Sequence, residues 1–363
     1  MKIGIIAHLK HPITAPFAGG LEVFTYQITT ALQSRGHEVI LFASSGSAPL
    51  LPLQPILSDE AYDKNTGFRI KRKDLPSEYI AEHHAYFGLM MNIDDYGLDV
   101  IFNNSLHYIP ITMAGTVNTP MVTVLHTPPF YELEMAIAAA KPNPRIDFVT
   151  VSAKNAQNWS KYVDDCAVIS NGISVAEWEF YEESTEESYA FWFGRIHPDK
   201  GLHLAIVAAR KAGIRLRIAG GIADQKYYDK EITPLLGEDT ELLGLLDQKE
   251  LNREIGQAIV CLITPCWEEP FGLVVAEAMA CGTPVAGFRI GALPELITNE
   301  TGILTDFGDT DGLAEAIKYA TQLNRKTVRD YADSHFSDEQ MISAYEQLLE
   351  KSSLKKRTFR YAI

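Results

Sequence analysis

The sequence contains little cysteine. Only four cysteines occur among 363 residues. This number is too small for a disulfide scaffold, and Cys261, Cys266 and Cys281 follow the spacing C-x4-C-x14-C, which matches no common zinc pattern. We therefore expect the cysteines to be small buried side chains in a reducing compartment.

The chain also has few basic residues and no long hydrophobic run. It carries 32 Lys and Arg against 47 Asp and Glu, a formal net charge of −15, which disfavours a nucleic-acid partner. The most apolar run, Ala258 to Trp267, is far shorter than the ~20 residues of a membrane span. The apolar start, Ile3 to Ala7, is shorter than the ~7-residue core of a signal peptide. We expect a cytoplasmic, soluble protein.

Short apolar runs alternate with amphipathic stretches along the whole chain, which is typical of an α/β protein with parallel strands covered on both faces. Leu21, Phe24, Ile28 and Leu32 mark one helical face that ends at Gly36. The predicted strands are Lys2–Ala7, Glu38–Ala43, Asp99–Phe102, Met121–Leu125, Phe148–Val151, Ala167–Ile169, Tyr189–Phe193, Ile214–Ala219, Ala258–Ile263 and Pro284–Gly287.

An acidic stretch divides this alternation into two halves. Residues 177–187 contain six glutamates and no basic residue, which indicates a solvated boundary segment. We predict a first domain over 1–171, a second over 172–340, and a C-terminal helix and basic tail over 341–363 that could pack back on the first domain. The tail (Lys351, Lys355, Lys356, Arg357, Arg360) is read as solvated, with contact to a membrane surface as the less favoured alternative.

The strongest local signal runs from Thr264 to Val285, where a strand, a Trp-Glu-Glu-Pro-Phe-Gly loop, a helix and another strand follow one another. Glu269 lies on the loop, and Glu277 lies in the helix eight positions later. Free backbone N–H groups at Gly272, Leu273 and Val274, with the helix dipole, would suit a diphosphate. The two carboxylates would accept hydrogen bonds from sugar hydroxyls. Taken alone, they could equally be two surface glutamates.

Two further segments place ligand-type residues at strand ends. Arg195 and Lys200 follow the first strand of the second half and open a helix, and in an acidic chain two cations there point to phosphate binding. Gly19 and Gly20 open the first long helix, where a ligand could approach the backbone closely. No G-x-G-x-x-G dinucleotide fingerprint opens either half.

His126 directly follows a buried predicted strand, so it is expected at the ligand-binding edge of its sheet, although a lone histidine is often structural. His8, after the first strand, is a weaker candidate. Asp309 and Asp311 could suggest a metal, but they precede a helix, and a helix cap explains them without one. We predict no metal site.

These segments together resemble the retaining glycosyltransferases of family 4, which have the GT-B fold. Glu269 to Glu277 resembles the family's E-x7-E motif, Arg195 with Lys200 its donor-diphosphate pair, Gly19-Gly20 its glycine loop, and His126 its cleft histidine. Val168-Ile-Ser-Asn-Gly-Ile173 is similar to the segment that ends the family's first domain, with Ser170 in place of proline.

The resemblance implies two Rossmann-like domains with parallel sheets facing a cleft, and transfer of a sugar from a nucleotide-diphosphate sugar with retention and without metal or other cofactor. Arg195, Lys200, Gly19, Gly20 and the Gly272–Val274 helix start would hold the diphosphate. Glu277 would hold the ribose, while Glu269 and Phe271 would hold the donor sugar. His126 and Glu269 would be catalytic. A UDP-sugar is favoured on family frequency, and the acceptor could be a carbohydrate, a lipid-linked molecule or a small molecule.

Two alternatives share this fold: a nucleotide-sugar epimerase or related phosphorylase, and a non-catalytic nucleotide-sugar-binding protein. A nicotinamide dehydrogenase is disfavoured because the glycine fingerprint is missing. Turnover of a nucleotide sugar without acceptor would indicate the epimerase. The sequence leaves open the sugar, the nucleobase, the acceptor, the linkage and the oligomeric state.

Overall fold

The structure, a computed structural model, describes residues 1–57, 77–141, 143–184 and 188–355. It divides into two compact units. Unit 1 comprises residues 1–151, 155–169 and 341–363, and unit 2 comprises residues 152–154 and 170–340. The chain therefore leaves unit 1, forms unit 2, and returns to unit 1 for its last helix.

Unit 1 contains a parallel sheet of seven described strands in the order β3-β2-β1-β4-β5-β6-β7. The central strands β1, β4 and β5 are almost wholly buried, as their continuous apolar sequences require. The strands are β1 Lys2–Ile6, β2 Glu38–Ser44, β3 Leu53–Leu57, β4 Val100–Asn103, β5 Met121–Leu125, β6 Ile146–Thr150 and β7 Cys166–Val168. Its helices are α1 Gly20–Ser34, α2 Ser77–Asn92, α3 Tyr108–Met113, α4 Tyr131–Ala140 and α5 Ala153–Trp159, whose first two residues fall in unit 2.

Unit 2 contains a second parallel sheet, of six described strands, in the order β10-β9-β8-β11-β12-β13. The strands are β8 Tyr189–Phe193, β9 Arg215–Ala219, β10 Thr240–Gly244, β11 Val260–Ile263, β12 Val285–Phe288 and β13 Gly302–Thr305. The helices are α6 Leu202–Ala212, α7 Gln225–Tyr227, α8 Gln248–Gln257, α9 Leu273–Ala280, α10 Leu293–Leu296, α11 Thr310–Ala320 and α12 Arg325–His335. The sheet order brings β8, β11 and β12 side by side, so the loops that follow them share one edge.

The last helix, α13 Asp338–Ser353, begins in unit 2 and continues into unit 1. In unit 1 the ring of Tyr345 is fully buried, with its centroid 5.4 Å from that of Phe24 and 5.3 Å from that of Phe102. Glu346 accepts hydrogen bonds from Arg35 at 2.5 Å and from His37 at 2.7 Å. These contacts anchor α13 in the core of unit 1.

Several sequence-based expectations can be compared directly with the structure. The Asp309 carboxylate accepts a hydrogen bond from the Gly312 N–H at 2.8 Å, so the predicted helix cap is confirmed. Asp311 instead pairs with Lys211 at 2.7 Å. In the basic tail, the described Lys355 pairs with Asp147 at 2.6 Å. Tail residues 356–363 and acidic-segment residues 185–187 lie outside the described residues.

No helix in the described part of the chain is long and apolar enough to cross a membrane.

Candidate functional site

The loops after β8 and β11 interlock at the edge of the unit 2 sheet. The Thr264 hydroxyl, just after β11, donates to the carbonyls of Lys200 and Gly201 at 3.1 Å each. The Cys266 N–H donates to the Asp199 carbonyl at 2.7 Å. Gly201 has φ +64°, and a Cβ there would lie 2.0 Å from the Thr264 carbonyl oxygen, so only glycine fits. The structure thus brings the two strongest sequence motifs together.

Lys200 and Glu269 form an ion pair across these loops. The Lys200 Nζ lies 2.6 Å from the Glu269 Oε2, and both side chains are largely buried. The indole N–H of Trp267 donates to the same oxygen at 3.0 Å, and the Lys200 Nζ lies 5.6 Å from the Trp267 ring centroid. A cation and an anion are therefore held together at this edge of the sheet.

Arg195 is on the same loop but is more exposed, and it is oriented by a residue that the sequence analysis did not select. Its guanidinium lies 3.6 Å from the Asp199 carboxylate, whose other oxygen is 2.7 Å from His197 Nδ1. Asp199 thus contacts the side chains of both Arg195 and His197. The signal was available, because Asp199 and His197 lie inside the motif that supplied Arg195 and Lys200.

The loop after β12 packs against the backbone of Glu269. The Ala292 N–H donates to the Glu269 carbonyl at 2.9 Å. Gly291 has φ +57°, and a Cβ there would lie 2.4 Å from both the backbone nitrogen and the backbone oxygen of Glu269. A larger residue at 291 would displace Glu269. Gly291 was not predicted from the sequence, because nothing local indicates its contact with a loop 22 positions earlier.

Helix α9 begins directly after Gly272, which has φ +105° and precedes Leu273 and Val274 at the helix start. The first N–H groups of a helix have no partner within it, so this end can accept an anion. Phe271 is 3% exposed, and its ring packs edge-on against Phe336 with centroids 6.2 Å apart. Its side chain therefore belongs to the core, and any ligand contact at this position falls to the backbone.

Glu277 lies on α9 with its side chain partly buried. Burial raises the pKa of this carboxyl from its ordinary value near 4.5 to about 7. No ion pair or side-chain hydrogen bond to its carboxylate occurs among the described residues. Hydrogen bonds from the hydroxyls of a ligand would favour the ionised form of this carboxyl.

Unit 1 has a polar cluster at the ends of β1, β4 and β5. His126 Nε2 lies 2.8 Å from the Asn104 Oδ1, and its ring meets the Phe24 ring edge-on at 4.8 Å. Burial and then the nearby His8 lower the pKa of His126 to about 3, so the ring is neutral at physiological pH. His8 contacts Glu22 in the first turn of α1, next to Gly19 and Gly20.

Among the described residues, no group of three or more His, Cys, Asp or Glu side chains could hold a metal ion. The four cysteines are free thiols, and Cys261 and Cys281 are buried.

Comparison with known proteins identifies the class. Residues 18–177 match the family model described as Glycosyltransferase Family 4, and residues 176–335 match the one described as Glycosyl transferases group 1. The chain therefore belongs to the glycosyltransferases in which these two regions follow one another, and it is an enzyme of this class. The resemblance inferred from the motifs is confirmed.

Among curated relatives, the chain is similar to glycogen synthase of Mycobacterium tuberculosis, at 25% identity over 91% of this chain and 90% of the relative. It is also similar to D-inositol 3-phosphate glycosyltransferase of Mycolicibacterium smegmatis, at 24% identity over 87% of this chain and 82% of the relative.

Solved structures show the same fold. Sucrose-phosphate synthase from Thermosynechococcus elongatus superposes with a TM-score of 0.74 at 20% identity, covering 96% of this chain and 98% of that one. HepE of Anabaena, solved in complex with UDP-glucose, gives 0.73 at 17% identity, covering 97% and 100%. The predicted α/β class with two Rossmann-like domains of the GT-B type is confirmed.

Proposed function

We propose that the chain transfers a sugar from a nucleotide-diphosphate sugar to an acceptor hydroxyl, with retention of the anomeric configuration and without a divalent metal. The observation that carries this proposal is the Lys200–Glu269 pair, held beside Arg195 and the start of α9 on the loops of unit 2. A diphosphate sugar offers a phosphate to the cation and hydroxyls to the carboxylate, so one ligand satisfies both partners.

Arg195, Lys200 and the N–H groups of Gly272, Leu273 and Val274 would bind the diphosphate. Fixed cations and a helix dipole would stabilise the negative charge that develops on the leaving group. In other enzymes a divalent metal ion has this role. Gly19 and Gly20 of unit 1 remain predicted contacts of the same diphosphate.

Glu277 would accept hydrogen bonds from the ribose hydroxyls, and Glu269 from hydroxyls of the transferred sugar. His126, neutral because of its lowered pKa, would donate to or orient the sugar near its anomeric carbon. Retention is proposed from the family resemblance, with departure and attack on the same face of the sugar and no covalent glycosyl-enzyme.

A UDP-sugar is the favoured donor. Its support is the family frequency and the UDP-glucose bound by HepE, a structural neighbour. The names of the curated relatives suggest two acceptors to try first, an α-glucan and D-inositol 3-phosphate. A carbohydrate, lipid-linked or other small-molecule acceptor also fits the proposal.

The test is a panel of nucleotide sugars read by thermal unfolding and then by transfer. A ligand at 100 times its Kd stabilises the folded chain by about 2.7 kcal/mol, which is enough to rank donors. The selected donor is then incubated with each acceptor in the presence of EDTA, and NMR reports the anomeric configuration of the product.

A retained product formed in EDTA would support the proposal, and an inverted one would contradict retention. Conversion of the nucleotide sugar without any acceptor would instead indicate an epimerase. Binding without turnover across the acceptor panel would favour a nucleotide-sugar-binding protein.

A further inference from the structure

A nearly buried histidine–glutamate pair lies next to the glycine pair of unit 1. His8 follows β1 by two residues, and Glu22 is in the first turn of α1. The His8 Nε2 lies 2.8 Å from the Glu22 Oε1, with side-chain exposures of 12% and 5%. Neither residue has a place in the transfer chemistry described above.

The second Glu22 oxygen lies directly beside the glycine pair. A Cβ built on Gly19 would be 3.3 Å from the Glu22 Oε2. The same N-terminal end of α1 is where the proposed function expects the donor's diphosphate. A buried carboxylate there would repel an incoming diphosphate unless its charge were compensated, because charges inside a protein are weakly screened.

Histidines surround this carboxylate. Burial acts to raise the pKa of Glu22, but its hydrogen bond to His8 and the charges of His8 and His11 outweigh this effect, so the net pKa is lowered and Glu22 stays ionised. His8 in turn faces Glu22 on α1 and His126 after β5, and its ring is 6.2 Å from that of His11. Its Nδ1 is buried and has no partner among the described residues.

We propose that His8 is a positioning residue that pairs with Glu22 and compensates its charge, so that the Gly19–Gly20 start of α1 accepts the donor's diphosphate. The proposal rests on the proposed function and adds a positioning residue to it.

Three variants test this role: His8→Gln, Glu22→Gln, and the two combined. UDP binding is measured by calorimetry at pH 7.0, and kcat and KM are measured with the donor selected by the panel. We expect His8→Gln to weaken UDP binding about tenfold and to raise the donor KM by a similar factor, with kcat changed by less than about twofold. In the double variant, loss of the acid should restore UDP affinity to within about threefold of wild type.

His37→Gln is the matched control, because His37 contacts Glu346 at 2.7 Å in the same unit but away from the glycine pair. It should lower the melting temperature and leave UDP affinity unchanged.

A double variant that binds UDP no better than His8→Gln would overturn the role of His8, since a packing defect is not repaired by removing a charge. A wild-type chain without measurable UDP affinity would contradict the proposed function itself, and this role with it.

Discussion

The protonation of the Glu277 carboxyl provides a test of its proposed contact with the ribose. The pKa of its carboxyl is raised to about 7 because burial disfavours the charged form. The variant Glu277→Gln keeps the size of the side chain and removes the titration. It should therefore separate two effects of the carboxylate, a cost in the free chain and a gain when the nucleotide binds.

The cost to the stability of the free chain follows from the size of the pKa shift of Glu277. A rise from 4.5 to about 7 corresponds to at most about 3 kcal/mol, at 1.36 kcal/mol per pKa unit. Because the side chain is partly exposed, solvent screening should reduce this to about 1–2 kcal/mol. The folded chain holds the proton to higher pH than the unfolded chain, so the free energy of unfolding decreases as pH rises from about 4.5 to about 7. Above pH 7.5, Glu277→Gln should be more stable than wild type by this amount.

The gain appears on binding. Hydrogen bonds from ribose hydroxyls favour the ionised carboxylate, so nucleotide binding should lower its pKa and release a proton. With a pKa of about 7, wild type should release up to roughly nine-tenths of a proton at pH 6 and almost none at pH 9. UDP-glucose is the suitable probe, because its diphosphate has no group that titrates near pH 6.

Calorimetry in two buffers with different ionisation enthalpies measures the released proton. Glu277→Gln should release none and should bind UDP-glucose about 1–2 kcal/mol more weakly at pH 8, having lost charge-assisted hydrogen bonds. Equal proton release by wild type and variant, or wild-type affinity in the variant, would refute the assignment of the ribose to Glu277.

Three further results are expected. Arg195→Ala and Lys200→Ala should each weaken UDP binding by about 1.5–3 kcal/mol, since each loses a charge-assisted phosphate contact, and calorimetry giving wild-type affinity in both would remove these cations from the site. Transfer should survive EDTA, and Asp311→Asn should stay close to wild type in activity; loss in EDTA with recovery on adding Mg²⁺ would show that fixed cations are insufficient. His126→Ala should lower kcat about 10²-fold while UDP affinity stays within about twofold of wild type, as for loss of one preorganised donor. The lowered pKa of His126 also means that kcat should show no titration of this ring between pH 5 and 9. A His126→Ala chain that melts earlier but is fully active would show that the residue only packs.

The interior strands of both sheets were predictable from the sequence, and most edge strands were not. All ten predicted strands are present. Nine of them are interior strands, whose sequences are largely apolar because both faces are covered, and the tenth, β7, is the other edge of the unit 1 sheet. The three strands that were not predicted are β3, at one edge of the unit 1 sheet, and β10 and β13, the two edges of the unit 2 sheet. Their side chains are mostly half-exposed, so their sequences lack the apolar run that marks a central strand.

The candidate site was predictable where a motif is local. Arg195, Lys200 and Glu269 lie on loops that follow strands, and Glu277 lies on the helix after the second of these loops. These positions can be recognised in the sequence. The Lys200–Glu269 pair cannot, because it depends on β8 and β11 being neighbours although 66 residues lie between the end of β8 at Phe193 and the start of β11 at Val260.

The contact of Gly291 and the packing of the Phe271 ring likewise depend on the tertiary structure, so a local motif does not reveal them. Gly291 matters only because the loop after β12 passes behind Glu269, and this approach is set by the strand order. Phe271 was predicted beside the donor sugar because it lies within the motif, yet its ring packs against Phe336. A motif identifies which residues approach a ligand, but not which atoms of each residue do so.

The return of α13 to unit 1 bears on the order in which the chain acquires its structure during synthesis. Tyr345 packs on Phe24, and Phe24 meets the ring of His126. Residues 170–340 emerge from the ribosome before Tyr345 does, so the later unit can close its core while the earlier one still lacks a wall behind His126. This reverses the usual sequence, in which the domain nearer the N-terminus matures first. The surroundings of the histidine are therefore completed last, when α13 has emerged and packed on Phe24.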